Sequence, residues 1–216
     1  MPRRTHDEAM QTRNRILDAA AEHCAQRGYE ALSLELVAET AGVTRGAIYH
    51  HFEGKEGLFR ALVIRRLEWM GRAIERAAAE AAEAAVTEAA AVAPRAHTAD
   101  PGSREWRGLV AGCVAFLRES QDPAYQRIIL LDGPAVLGIE AWQDLDSQYT
   151  TKSLVEALHD LERSGEIDVP DVVAAGEALS GAMNQLSLWV CAGHDLRLAE
   201  QTIEALLAGI RSSSAR

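Results

Sequence analysis

The sequence predicts an all-α protein, and three observations lead there. Alanine is abundant while β-branched runs and turn dipeptides are few, a balance that favours helix over strand. Apolar residues recur at three- and four-residue spacing along most of the 216-residue chain. Pro123, Pro134 and Pro170, with Gly28, Gly42, Gly54, Gly165 and Gly193, punctuate these stretches. The expected architecture has about nine helices: a three-helix helix-turn-helix domain over residues 1–60 and a larger helical domain over residues 61–216.

Helix 1 is expected from about Thr12 to Arg27, with Ile16, Leu17, Ala20 and Cys24 on one face and Gly28 as its stop. Ser33 is a good N-cap for a short helix 2, in which Leu34, Val37, Ala38 and Ala41 follow at i, i+3, i+4 and i+7. Gly42 breaks that helix. Thr44 caps helix 3, roughly Arg45 to His51. Helix 4 begins at Lys55, carries Leu58, Phe59, Leu62 and Val63, and continues into an alanine-rich stretch whose Glu and Arg interleaving suits an exposed helix. Residues 94–104, with Pro94, His97, Asp100, Pro101, Gly102 and Ser103, are expected to form a loop. Helical patterns then follow at about 105–120, 123–131, 139–164, 171–192 and 195–211.

Hydrophobic residues make up 48%, enough for a sizeable core. No segment is long and apolar enough to span a bilayer, and Met1 to Gln11 lacks the apolar stretch of a secretory signal, so a cytoplasmic location without a membrane partner is expected. Cys24, Cys113 and Cys191 are far apart and odd in number, which points to buried hydrophobes rather than disulfides or a zinc site. No metal or cofactor is expected. The formal net charge is −10, yet residues 1–60 hold 8 Lys and Arg against 9 Asp and Glu, leaving 14 against 23 for the rest. A near-neutral N-terminal module can still present one basic face.

Helix 2, the turn at Gly42 and helix 3 form a helix-turn-helix pattern. Leu34, Val37 and Ala38 would pack helix 2 onto helix 1, while Val43, Ile48 and Phe52 would bury the inner side of helix 3. Thr44, Arg45, Gly46, Tyr49 and His50 are left outward, donors and a small residue of the kind a helix entering the major groove must offer. His51 falls inward with Phe52. Taken singly, each has a bland alternative. Ser33 and Thr44 are good N-caps without DNA, Tyr49 can pack on helix 1, and Arg45 can be a solvated charge.

The stretch LSLELVAETAGVTRGAIYHHFEGKEGLFRALV, residues 32–63, resembles the N-terminal domain of TetR-family repressors. Gly42-Val43-Thr44, Gly46, Ile48-Tyr49, His51-Phe52, Lys55 and Leu58 fall together in the family's register, over a match of roughly residues 12–63. The resemblance implies phosphate contacts from Ser33 and Thr44 and base contacts from Arg45, whose fork matches guanine O6 and N7. It implies close approach at Gly46, phosphate contacts from Tyr49 and His50, and a backbone clamp at Lys55, one of two lysines in the chain. Arg3, Arg4 and Arg13 would add contacts from the N-terminal arm.

Beyond residue 64 the resemblance is one of outline: length, helical pattern and two long final helices. Val172, Val173, Leu179, Met183, Leu186 and Val190 mark one apolar face, and Leu198, Ile203, Leu206, Leu207 and Ile210 another. Family resemblance favours a homodimer through 171–192 and 195–211, and hence a palindromic double-stranded operator, over burial within one subunit. A pocket for a small organic ligand would lie between the middle helices, with Phe116, Ile128, Leu131, Trp142, Tyr149, Met183, Gln185 and Trp189 as candidate lining. Each of these suits core packing equally well. Gly133, Pro134 and Gly138 are expected to break the helical pattern between two apolar helices. The reading implied is a homodimeric repressor released from its operator by ligand, with an activator or ligand-independent regulator as the alternative. No catalytic triad, metal-spaced cluster or phosphate-cradling glycine loop argues for an enzyme.

Overall fold

The helices begin and end where side chains or glycines satisfy backbone groups that a helix leaves unpaired. The structure, a computed structural model, describes residues 6–91 and 102–212, with no side-chain description for 89–91. Arg3, Arg4 and most of the expected loop, including Pro94, His97, Asp100 and Pro101, lie outside these residues.

Nine helical runs occur among the described residues. They are α1 (His6–Arg27), α2 (Leu34–Ala41), α3 (Arg45–Phe52), α4 (Lys55–Ala91) and α5 (Arg104–Glu119). Next come α6, built from Pro123–Tyr125, a π-helical Gln126–Asp132 and Gly133–Leu137, and α7, built from Ile139–Asp146, a π-helical Ser147–Thr151 and Lys152–Arg163. Then follow α8 (Val172–Cys191) and α9 (Leu196–Ile210). An isolated antiparallel bridge between Ile167 and Arg211 is the β-type pairing among the described residues.

One expectation needs correcting. Gly133 and Pro134 do not interrupt the helical run; they sit inside α6, and the break comes only at Gly138, where φ is 82°. Proline has no N–H and its ring excludes a carbonyl one turn back, so an ordinary α-turn cannot lead into it. The π-helical stretch Gln126–Asp132 ends two residues before this proline, with Gly133 between them.

The chain divides into two compact units, Met1–Leu67 with Asp122–Leu145, and Glu68–Gln121 with Asp146–Arg216. The first unit is cored by Ile16, Leu17 and Cys24 of α1, Val37 of α2, Ile48 of α3, Leu58, Phe59 and Leu62 of α4, and Tyr125 and Ile128 of α6, all fully buried. Burying each of the large aliphatic ones contributes about 1.5–3 kcal/mol before entropy is charged against it. Gly57 near the start of α4 has to be glycine, because a Cβ there would lie 1.9 Å from the Phe52 carbonyl oxygen. Helix α6 is tied to the turn after α1. The Tyr29 N–H donates to Asp132 Oδ2 at 2.7 Å, and Arg127 Nε lies 3.2 Å from Asp132 Oδ1. Arg66 of α4 pairs with Asp122 at 3.0 Å.

The second unit is cored by Leu109, Phe116 and Leu117 of α5, Leu158 and Leu161 of α7, Leu179 and Met183 of α8, and Ile203 and Leu207 of α9. The apolar faces of α8 and α9 therefore split. Val172, Leu179, Met183, Ile203 and Leu207 are buried within the chain, whereas Val173, Leu198 and Leu206 stay 52%, 52% and 46% exposed.

Removing Asp132 would leave the Tyr29 N–H and the Arg127 guanidinium without their carboxylate. The Asp132→Ala variant is expected to lose about 1–3 kcal/mol of stability, read as a lower urea midpoint with an unchanged slope. A midpoint equal to that of the native chain would mean that core packing alone holds α6 to this turn.

Candidate functional site

Three local features fix the geometry of α2 and α3. Ser33 Oγ accepts the Leu36 N–H at 3.4 Å, and Thr44 Oγ1 accepts the Ala47 N–H at 3.2 Å, so both serve as N-caps. Between them Gly42 adopts φ 64° and ψ 41°, a left-handed conformation that glycine enters without penalty. Burial of Ile48 and Phe52 orients α3. Thr44, Arg45, Gly46, Tyr49 and His50 then all lie on its exposed side, as expected, with Ser33 half-buried at the start of α2 and Lys55 half-buried at the start of α4.

This exposed face is organised internally. Arg45 Nη1 pairs with Glu35 Oε1 of α2, Arg45 Nη2 donates to the Tyr49 hydroxyl at 3.2 Å, and the guanidinium carbon lies 5.6 Å from the Tyr49 ring centre. The Tyr49 hydroxyl and then the Glu35 charge hold Arg45 in its cationic form more firmly than usual. Glu35 is held below the ordinary carboxylate range, first by its own backbone N–H at the helix start, then by the Ser33 hydroxyl at 2.9 Å, then by Arg45. Both side chains are well exposed, so the pair contributes little to stability. Gly46 has only Thr44 Oγ1 near the position a Cβ would take, at 3.8 Å. The protein's own packing does not demand glycine there, and the bare backbone is open to whatever docks.

Lys55 is less free than its position suggests. Its Nζ donates to the Glu30 carbonyl at 3.1 Å and sits 4.5 Å from the Tyr29 ring centre. Arg13 lies over the Phe52 ring at 5.2 Å. His50 packs edge-on to His51 with ring centres 5.5 Å apart. The resulting face offers a guanidinium, a phenol, an imidazole and a capping hydroxyl on a helix narrow enough for a nucleic-acid groove.

The second unit contains a separate feature, a cavity of about 360 Å³. Its apolar wall comes from Ile74, Leu109, Cys113, Phe116, Leu154 and Met183. Burial pushes the Cys113 thiol up to about 12, which leaves it an inert apolar wall atom. Thr150, Thr151 and Ser180 make a polar end. Thr150 Oγ1 donates to the Asp146 carbonyl and to Asp146 Oδ1, both at 2.8 Å; Thr151 Oγ1 donates to Ser180 Oγ at 2.9 Å; Ser180 Oγ donates to Asp146 Oδ2 at 3.4 Å. Asp146 is buried, and desolvation pushes its carboxyl above the usual range, against the pull of bonds from Thr150, Asn184 and Ser180.

Of the eight residues expected from sequence to line a pocket, Phe116 and Met183 line this cavity and the other six do not. Ile128 is fully buried in the first unit, Trp142 is buried there against Gly133, and Leu131 is 47% exposed on the same segment. Tyr149 is half-buried with its carbonyl 2.7 Å from where a Cβ on Gly71 would lie, Gln185 is exposed, and Trp189 stacks on His194 with ring centres 4.2 Å apart. The expected set mixed aromatic, aliphatic and amide side chains and did not include Thr150, Thr151 and Ser180, which line the cavity. The available signal was polar residues on otherwise apolar helical faces, as Ser180 stands between Leu179 and Met183. Among the described residues no cluster of His, Cys, Asp and Glu suits a metal ion, and no helix is long and apolar enough to cross a membrane.

Comparison with known proteins places both parts. The profile for bacterial regulatory proteins of the tetR family matches residues 16–62, and that for the tetracyclin repressor-like C-terminal domain matches residues 106–211. The HTH-type transcriptional regulator AcrR of Shigella flexneri is 51% identical over 59 residues, which is 27% of this chain and 27% of that relative. The shared segment is thus well under two thirds of the relative's length. A TetR-family transcriptional regulator of Pectobacterium atrosepticum has a similar structure, with a TM-score of 0.70 at 26% identity, covering 97% of this chain and 99% of that one. The structure of RolR in complex with resorcinol is similar in fold, with a TM-score of 0.66 at 16% identity, covering 98% and 93%.

The buried carboxyl of Asp146 yields a pH signature. Its native pKa lies above the unfolded value, so the native state binds its proton more readily. The associated stability is present at pH below the ordinary carboxylate value of about 3.9 and is lost as pH rises through the native pKa. The Asp146→Asn variant has no such loss. Its stability relative to the native chain is expected to improve in urea denaturation as the pH is raised from 4 towards 7.5, levelling off once the pH passes the native pKa. A difference that stays constant over this range would show that the carboxyl titrates alike in both states.

Proposed function

The chain belongs to the tetR family of bacterial regulatory proteins, and on that premise we propose that it is a homodimeric transcriptional repressor released from a palindromic operator by a small organic ligand. The observation that carries this reading is the exposed face of α3, where Arg45, Tyr49 and His50 flank a glycine that the fold itself does not require. A helix entering the major groove needs donors around a point of close approach, which this face supplies.

The roles divide by chemistry. Thr44 accepts the Ala47 N–H, so its own hydroxyl hydrogen remains to donate to a phosphate beside the helix N-terminus. Ser33 gives its hydrogen to Glu35 and must exchange it to do the same. Arg45 reads a base: its two outer nitrogens, occupied by Glu35 and Tyr49 in the free protein, have the spacing that guanine O6 and N7 require. The Glu35 pair is well exposed and screened by water, so the exchange is easy. Tyr49, His50 and Lys55 supply phosphate contacts, Lys55 with the two ammonium hydrogens that Glu30 does not use.

A second copy of the chain pairs through α8 and α9. Val173, Leu198 and Leu206 are the large apolar residues those helices leave in water, and a two-fold axis through them sets two reading heads on one palindrome. The ligand enters the cavity of the second unit, whose volume suits a small organic molecule. That RolR, a protein of the same fold, is seen with resorcinol supports this assignment. Helix α4 supplies residues to both units along one continuous run and is the natural lever. A ligand that binds the DNA-incompetent arrangement more tightly must weaken operator binding by the same factor.

Selection of bound sequences from a random duplex pool, followed by a salt series on the winner, tests the reading. A palindromic winner whose affinity falls steeply with salt is expected. The Arg45→Ala variant should bind that winner about ten- to a hundredfold less tightly, with circular dichroism and dimer mass unchanged. A folded, dimeric protein that enriches no sequence sinks the proposal.

A further inference from the structure

We infer that the cavity of the second unit selects a neutral or cationic apolar molecule bearing a hydrogen-bond donor at one end, a hydroxyl or an amine, and rejects carboxylates. This rests on the reading of the cavity as the ligand site, and goes beyond it by naming the chemistry of the occupant.

The argument follows the hydrogens. A hydroxyl has one hydrogen to give and two lone pairs. Thr150 spends its hydrogen on the Asp146 carbonyl and carboxylate, Thr151 on Ser180, and Ser180 on Asp146. All three hydrogens run away from the cavity towards the buried acid, which also accepts a bond from Asn184. What Thr150 and Thr151 retain for an occupant is lone pairs alone. An acceptor-only wall pairs with a donor, and a second acceptor placed against it goes unpaired.

At Thr150 the order cannot reverse. The hydroxyl of Thr150 is bonded to a main-chain carbonyl one turn back as well as to the carboxylate, and a carbonyl never donates. Both threonines belong to the π-helical Ser147–Thr151, whose widened turn sets two successive side chains on the same cavity wall. Polar satisfaction at that end therefore depends on what the occupant brings.

Charge points the same way. The titratable residues that line the cavity are Glu75, Glu105 and Asp160 against Arg104, apart from the neutral Cys113 thiol. Arg104 Nε is already paired with Glu105 Oε1 at 3.0 Å. The Ser153 hydroxyl also lines the cavity, and one neutral donor is too little to hold a carboxylate out of water. A hydroxyl or ammonium group meets lone pairs at the polar end and an acidic surround, whereas a carboxylate meets like charge and unpaired oxygens.

The test uses the full chain and four probes that share an eight-carbon chain: octan-1-ol, octylamine, methyl octyl ether and octanoate, titrated calorimetrically at pH 7.5. Octan-1-ol and octylamine are expected to bind about tenfold more tightly than the ether, the difference of one net hydrogen bond, and octanoate is expected to bind most weakly. The Thr151→Val variant, close in shape and without the oxygen, should bring octan-1-ol down towards the ether and leave the ether unchanged. The panel on the native chain stands alone should that variant fold poorly. Octanoate binding as tightly as octan-1-ol, or an ether equal to the alcohol, overturns the inference and leaves the cavity as the ligand site. Absence of binding by all four removes the cavity assignment and the inference with it.

Discussion

Burial of Ile48 and Phe52 is the constraint on which the reading head depends. Helix α3 has eight residues, too few to persist alone in water, so it exists because its inner side is covered. Once those two residues point inward, the 3.6-residue period leaves no choice about Arg45, Tyr49 and His50, which must face out. The caps at Ser33 and Thr44 and the left-handed turn at Gly42 then fix the angle at which that face is offered. Arg45 gains order before any partner arrives, because Glu35 and Tyr49 hold its fork on either side.

The second unit works by a different balance. Its cavity walls are apolar, and its polar end is a closed chain of hydroxyls terminating on one buried carboxyl. A buried acid is costly unless surrounded by donors, and Thr150, Ser180 and Asn184 are the donors Asp146 has. The same arrangement that makes Asp146 tolerable commits the hydroxyl hydrogens of Thr150, Thr151 and Ser180. With the cavity proposed as the ligand site, stability and ligand chemistry are two consequences of one network.

Local signals were legible along the chain wherever a single residue settles the outcome. Ser33, Gly42 and Thr44 act as the caps and turn their types suggest, and the helix limits fall within a few residues of expectation, apart from the longer start of α1 at His6 and the run of α6 through Pro134. Signals that depend on which helix meets which were not legible. Ile128 and Trp142 are as apolar as any pocket residue, yet the chain folds Asp122–Leu145 back into the unit that carries the reading head. The apolar stripes on α8 and α9 promise burial without saying against what, and the fold divides them between the chain's own core and the surface.

The sequence by itself determined the all-helical class, the helix-turn-helix and its outward residues, because periodicity and capping act within one or two turns of chain. The tertiary structure decided that Asp132 reaches Tyr29, that Arg45 leans on Glu35, and that Thr150, Thr151 and Ser180 gather at one end of a cavity. Those meetings join residues up to 103 positions apart, and no spacing along a helix encodes which distant face will cover it.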